Sequence, residues 1–182
     1  CIMYNTSLRS PIYASQHLIG KKLKHIDRSN NFRPDRRLNK NERTELKDYI
    51  KTGFDRGHLA PAGDMTSEIS MKESFLLSNI IPQTKINNRF IHKKIEMAVR
   101  KMAIERGELY VVTGVIFDRE IKVNNLNVPT KIYKAIVDPK EKLGCAYISN
   151  NDDSNTYEVV TIDTINKVSK LDIFPKLKNK SE

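Results

Sequence analysis

Apolar positions along this chain cluster in short runs divided by polar, basic stretches, with one long segment of helical period. Residues 12–19 (IYASQHLI) predict a strand ending at Gly20. Residues 30–43 (NNFRPDRRLNKNER) carry Pro34 and almost no apolar side chains, so they predict an exposed loop. A short helix over 41–50 follows, with Asn41 as its N-cap. Residues 53–65 (GFDRGHLAPAGDM), rich in Gly and Pro, predict a short strand, a turn and a loop. Residues 71–83 begin as a helix and end extended before Pro82. In 88–107, Ile91, Ile95, Ala98, Val99 and Met102 repeat at the spacing of one buried helical stripe, and Gly107 stands where a C-cap glycine belongs. Strands are predicted at 108–118, 128–138 and 143–150, then a late helix over 160–171 closed by Pro175. Strands gathered around one long helix, without regular alternation, predict an α+β domain.

The length of 182 residues suits a single domain spanning 1–182, large enough for an apolar core without staples. No run of eighteen apolar residues occurs, so no membrane-crossing helix is expected. No signal peptide is visible, and because the chain opens on Cys1, an upstream targeting segment is expected to be missing from it. Cys1 and Cys145 fit no zinc spacing, and the sequence leaves open whether they pair. The formal charge of +10 favours polyanionic partners. Between residues 21 and 51, eleven basic side chains face five acidic ones, which favours a polymer over a small phosphate ester. A solvated basic surface explains the charge equally well.

Chemistry concentrates in Asp55-Arg56-Gly57-His58. Phosphodiester hydrolysis needs a base for water and a cation for the developing charge; a neutral imidazole and a planar guanidinium meet those needs. Asn88 and Glu96, eight residues apart, differ by about 80° around a helix and about 12 Å along it. An amide oxygen and a carboxylate suit magnesium, which keeps most of its waters. Both ligate only if Asn88 binds directly from the helix start and Glu96 reaches the ion through water. By spacing alone a helix-start Asn and a solvated Glu is the more ordinary reading. His92, between them, reads as exposed, and His17 and His25 as structural or surface residues. Asn79 either holds the loops of the site or caps a turn.

These residues together resemble a known family. Asp55-Arg56-Gly57-His58-Leu59-Ala60-Pro61 resembles the DRGH signature of the DNA/RNA non-specific endonucleases, which have a ββα-metal fold. Ser78-Asn79-Ile80-Ile81-Pro82-Gln83 resembles that family's SN-I-x-PQ segment, Asn88 and Glu96 follow at its intervals, and Val112-Thr113-Gly114 resembles its VTG strand. Val128-Pro129-Thr130, Tyr133-Lys134 and Phe174-Pro175 look like its bacterial branch. Arg89-Phe90 after the Asn and Asn87 before it depart from the usual pattern, and the interval to Glu96 selects Asn88 over Asn87.

The resemblance implies a central mixed or antiparallel sheet flanked by helices, one of them carrying the metal site. It implies His58 as general base, Arg56 on phosphate, Asn88 as direct ligand of Mg2+ (or Mn2+ or another divalent cation), Glu96 as ligand through water and Asn79 as an active-site neighbour. Arg33 and Arg89 are further candidates for substrate contact. The implied activity is one-metal cleavage of DNA and RNA that leaves 5′-phosphate ends. A homodimer and an inhibitor protein are the other expected partners. The expected location is secreted or periplasmic, with mitochondrial as the alternative. A non-catalytic nucleic-acid-binding module and a phosphodiesterase for small substrates are the competing readings.

Overall fold

The computed structural model describes residues 1–176. Its centre is a six-stranded antiparallel sheet. The chain forms β1 (Ile2–Asn5), β2 (Ser10–Ile19), β3 (Asp55–His58), β4 (Ile80–Gln83), β5 (Glu108–Ile116), β6 (Lys122–Val123), β7 (Leu126–Asn127), β8 (Lys131–Asp138), β9 (Leu143–Asn150) and β10 (Glu158–Val160). The helices are α1 (Glu68–Ser74), α2 (Lys93–Arg106) and α3 (Ile162–Ser169). The large sheet runs β1-β2-β5-β8-β9-β10, while β3 and β4 form a separate two-stranded ladder.

Alternation in β5 and β8 assigns the two faces. Leu109, Val111 and Ile136 pack with Leu18, Ile91, Ile95, Val99 and Ala103 beneath α2. Val112, Ile116, Tyr133 and Ala135 pack with Ile162 and Ile165 of α3 on the other face. Removing Ile95 or Val99 from water contributes about 1.5–3 kcal/mol each. Gly20 touches α2: a Cβ there would lie 2.7 Å from the Ile104 Cα.

The α+β layout and the long helix agree with the sequence pattern, and three details differ. The helix opens with a π-turn, Asn87–His92, before α2. Its buried row is Ile91, Ile95, Val99 and Ala103, while Ala98 is exposed. Steps of four residues advance the row by about 40° each, away from Ala98. The helix expected over 41–50 is a single 3-10 turn, Leu46–Tyr49, capped by Glu45 and not by Asn41. The buried Asp48 holds that turn, accepting from the Glu45 N–H at 2.9 Å and from Arg9 at 3.0 Å. The basic loop is anchored, too. Buried Asp35 accepts from Ser78 Oγ at 2.7 Å and from Arg37, which hold its carboxyl down to about 2. Arg33 pairs with Leu76 through the backbone.

Candidate active site

The DRGH run is strand β3, held in register by β4: Arg56 lies opposite Pro82 and His58 opposite Ile80. Gly57 is required by close approach. A Cβ there would lie 2.8 Å from the Gln83 Cβ, and Gln83 passes over it to donate to Asn87 Oδ1 at 2.6 Å. Beyond His58 the chain turns away, fixed by Asn79. That buried amide accepts from the Ala60 N–H at 3.0 Å and donates to the carbonyls of Ala60 and Ser74, both at 2.9 Å. Its polar atoms are thus spent on the loop that follows the base.

His58 is seated by aromatic rings. Phe75 meets its ring edge-on at 4.8 Å and Phe32 lies tilted at 5.5 Å. Nε2 is buried without a partner, and among the described residues nothing hydrogen-bonds to Nδ1. Burial, and then the neighbouring Arg28 charge, push the imidazole pKa down to about 3, so the ring is neutral at any physiological pH. The Arg56 guanidinium lies 4.2 Å from the centre of the Phe32 ring, so one aromatic side chain seats both the imidazole and the cation beside it.

The adjacent asparagines divide their labour. Asn87 is fully buried; besides accepting from Gln83, it donates to Ser149 Oγ at 2.9 Å and to the Asn150 carbonyl at 2.6 Å. Asn88 donates to Asp55 at 3.0 Å, and among the described residues its Oδ1 receives no hydrogen bond. The π-turn places both, and such turns recur at functional sites. Glu96, one segment further along the helix, has no hydrogen bond or ion pair among the described residues. Burial pushes its carboxyl up to about 7, opposed by the nearby Lys134 ammonium. Lys134 is itself buried and donates to Thr113 Oγ1 at 2.5 Å. Beside this group, Arg100 pairs with buried Asp64 at 2.9 Å.

Two arginines expected at substrate are engaged within the chain. Arg89 grips Asp55 with two hydrogen bonds of 2.8 Å, and Arg33 donates to the Lys72 carbonyl at 2.9 Å. His92 corrects its reading as exposed: it is 3% exposed, with Nε2 unpartnered and its pKa lowered to about 3 by burial and then by Lys134. The π-turn seats it beside Ile91 on the inner side of the helix. Arg28 is the residue that sequence reasoning missed. Its guanidinium lies 5.1 Å from the Phe75 ring and its charge reaches both His58 and Glu96. Within a basic loop, no spacing distinguishes it from its neighbours.

Among the described residues, no three His, Cys, Asp or Glu side chains converge as a metal cage. The donors present still fit a hard dication. Asn88 Oδ1 and the Glu96 carboxylate are oxygens without partners, and magnesium completes its shell with water.

A family model described as DNA/RNA non-specific endonuclease matches residues 1–180. Nuclease C1 of Cunninghamella echinulata var. echinulata is 33% identical over 202 residues, covering 97% of this chain and 80% of that protein. The mitochondrial endonuclease G of Caenorhabditis elegans is 30% identical, covering 99% and 67%. The mitochondrial nuclease EXOG of Danio rerio is 32% identical over 77% of this chain, which spans about half, 46%, of that longer protein. Among solved structures, a complex of EndoG with EndoGI matches with a TM-score of 0.84 and 28% identity, covering 93% of this chain and 80% of that one. These findings correct two expectations. The relatives are mainly eukaryotic, so the signature does not single out a bacterial branch. The secreted or periplasmic location is overturned as well, because mitochondrial nucleases recur among the relatives. The β3–β4 ladder feeding a helix that carries Asn88 and Glu96, together with the match from end to end, establishes that the chain belongs to the DNA/RNA non-specific endonuclease family.

Proposed function

We propose that residues 1–182 form one nuclease domain that hydrolyses phosphodiester bonds of DNA and RNA with a single divalent cation and leaves 5′-phosphate ends. The observation that carries this reading is an imidazole seated against two aromatic rings in the strand that also carries Arg56, while Asp55 of the same strand holds Asn88, whose oxygen has no partner among the described residues. His58 accepts the proton of the attacking water at Nδ1, since Nε2 is buried. Arg56 and Arg28 neutralise charge on the phosphate. Asn79 holds the loop behind the base, and Asp55 orients Asn88 and Arg89. Asn88 would hold Mg2+ or Mn2+ directly, and Glu96 through water. A bound cation there supplies Lewis-acid stabilisation of the phosphate. Contacts to phosphate and not to base edges fit both polymers and predict inhibition by salt. An inhibitor protein would be a fitting partner, since the similar EndoG was solved in a complex with EndoGI that concerns its inhibition.

The test incubates plasmid DNA and single-stranded RNA with the protein in Mg2+ or in excess EDTA, beside Asn88→Ala and Asn87→Ala. Mg2+ should support cutting of both polymers and EDTA abolish it. Asn88→Ala should fold normally and lose activity at low Mg2+. Asn87→Ala should lose stability, about 1–3 kcal/mol for each partner left buried and unpaired. Cutting that persists in EDTA would sink the metal assignment. Binding without cutting in any divalent ion would leave a nucleic-acid-binding module.

A further inference from the structure

On the outer side of the helix that carries Asn88, a groove of about 490 Å³ is lined by Arg89, Phe90, Lys93, Lys94, Met97 and Tyr157, among others. Its apolar members stand in water: Phe90 is 59% exposed and Met97 58%. Across the groove, the Lys94 ammonium lies 5.6 Å from the Tyr157 ring, which is braced edge-on by Tyr147 at 5.7 Å. Lys93 and Lys94 form no ion pair among the described residues. An exposed ring and a half-buried one, interleaved with lysines outside any ion pair, are what successive unpaired bases and their phosphates require: stacking for the bases and charge for the backbone.

The groove shares Arg89 with the site described above. Arg89 lines it while holding Asp55, the strand neighbour of Arg56. The six-residue π-turn that seats Asn88 also presents Phe90, two residues on. Arg89 thereby links the groove to the strand that carries Arg56. Charge argues against a second copy of the chain, which would bring Arg89, Lys93 and Lys94 against their own kind.

We infer that the Phe90–Met97–Tyr157 groove is a base-stacking subsite for single-stranded nucleic acid, joined to the cleavage site through Arg89. The inference rests on the proposed nuclease reading but is tested separately from it. Fluorescence anisotropy in EDTA, where nothing is cut, measures binding of a labelled twelve-nucleotide DNA strand, of the same strand with all bases removed, and of its duplex. Phe90→Ala and Tyr157→Ala should each weaken the intact strand about tenfold, and the abasic strand and the duplex by less than twofold. Both variants should keep the parental melting temperature, which shows that they fold. Equal weakening of intact and abasic strands, or no weakening at all, overturns the subsite whether or not the protein cuts. So does self-association in sedimentation that Phe90→Ala abolishes while strand binding stays unchanged, since the groove is then an interface between copies. Failure of the parent to cut, with base-dependent binding intact, counts against the nuclease reading alone.

Discussion

His58→Ala should leave a folded protein that cuts plasmid DNA and RNA some 10²- to 10⁴-fold more slowly, the usual contribution of a positioned general base. The loss should fall on kcat more than on KM, because on the proposed reading Arg56, Arg28, Asn88 and Glu96 would still hold phosphate and cation. The size of the effect follows from the seat of the ring. Edge-on contact with Phe75 and the tilted Phe32 hold the imidazole and keep it uncharged down to about pH 3. His58 is therefore always in its proton-accepting form, and protonation near the ordinary histidine value should not set an acid limb in kcat. Phe32→Ala, which unseats both His58 and Arg56, should produce part of the same loss, and Phe32→Tyr should restore most of it. Steady-state cleavage from pH 5 to 9 checks the set. A His58→Ala protein with a parental melting temperature and more than a tenth of parental kcat would remove His58 from its role.

Acid should unfold this protein early, in EDTA, and His58 and the buried His92 should account for much of the effect. Both His58 and His92 have pKa values lowered to about 3 by burial, against 6.5 in an open chain. Between those values the unfolded chain binds protons that the folded chain does not, so stability falls as pH falls. Glu96 runs the other way. Burial raises its carboxyl from 4.5 to about 7, so the folded chain holds the extra proton across that interval; the contribution is full below 4.5 and lost as pH rises through 7. From pH 6.5 to 4.5 Glu96 offsets one histidine, and below 4.5 both act unopposed, for a loss on the order of a few kcal/mol. Asp35, held down to about 2, adds to the loss only below its ordinary value of 3.8. His92→Leu removes one of these groups, along with a buried nitrogen that has no partner. It should melt higher than the parent at pH 5 and lower, with the gap widening towards pH 4. Urea melts across pH 4 to 8 read this directly, and parallel curves for variant and parent would exclude His92 as a source.

What the linear order of residues determined was the chemistry and the periods. DRGH and SNIIPQ each lie within one short segment, so each is legible by itself although their pairing as β3 and β4 spans α1, and the 88–107 period had to be a helix because its apolar side chains recur every three or four residues. Asn88 was selected over Asn87 by interval alone. The tertiary structure separates the two: Asn87 is consumed by Gln83, Ser149 and Asn150, partners up to 63 residues away, while the Asn88 oxygen is left over among the described residues. His92 and Glu96 read as solvent-facing because sequence spacing cannot see the strands that pack against a helix. Lys134, buried in β8, reveals that a polar layer lies there. Arg28 could not be told from ten other basic residues in its loop until folding laid it over Phe75. Arg33 and Arg89, equally basic, were turned to a carbonyl and a carboxylate. Residue type supplies the capacity for a role. Burial and long-range partners, which arise only when distant segments meet, decide which side chains remain free to exercise it.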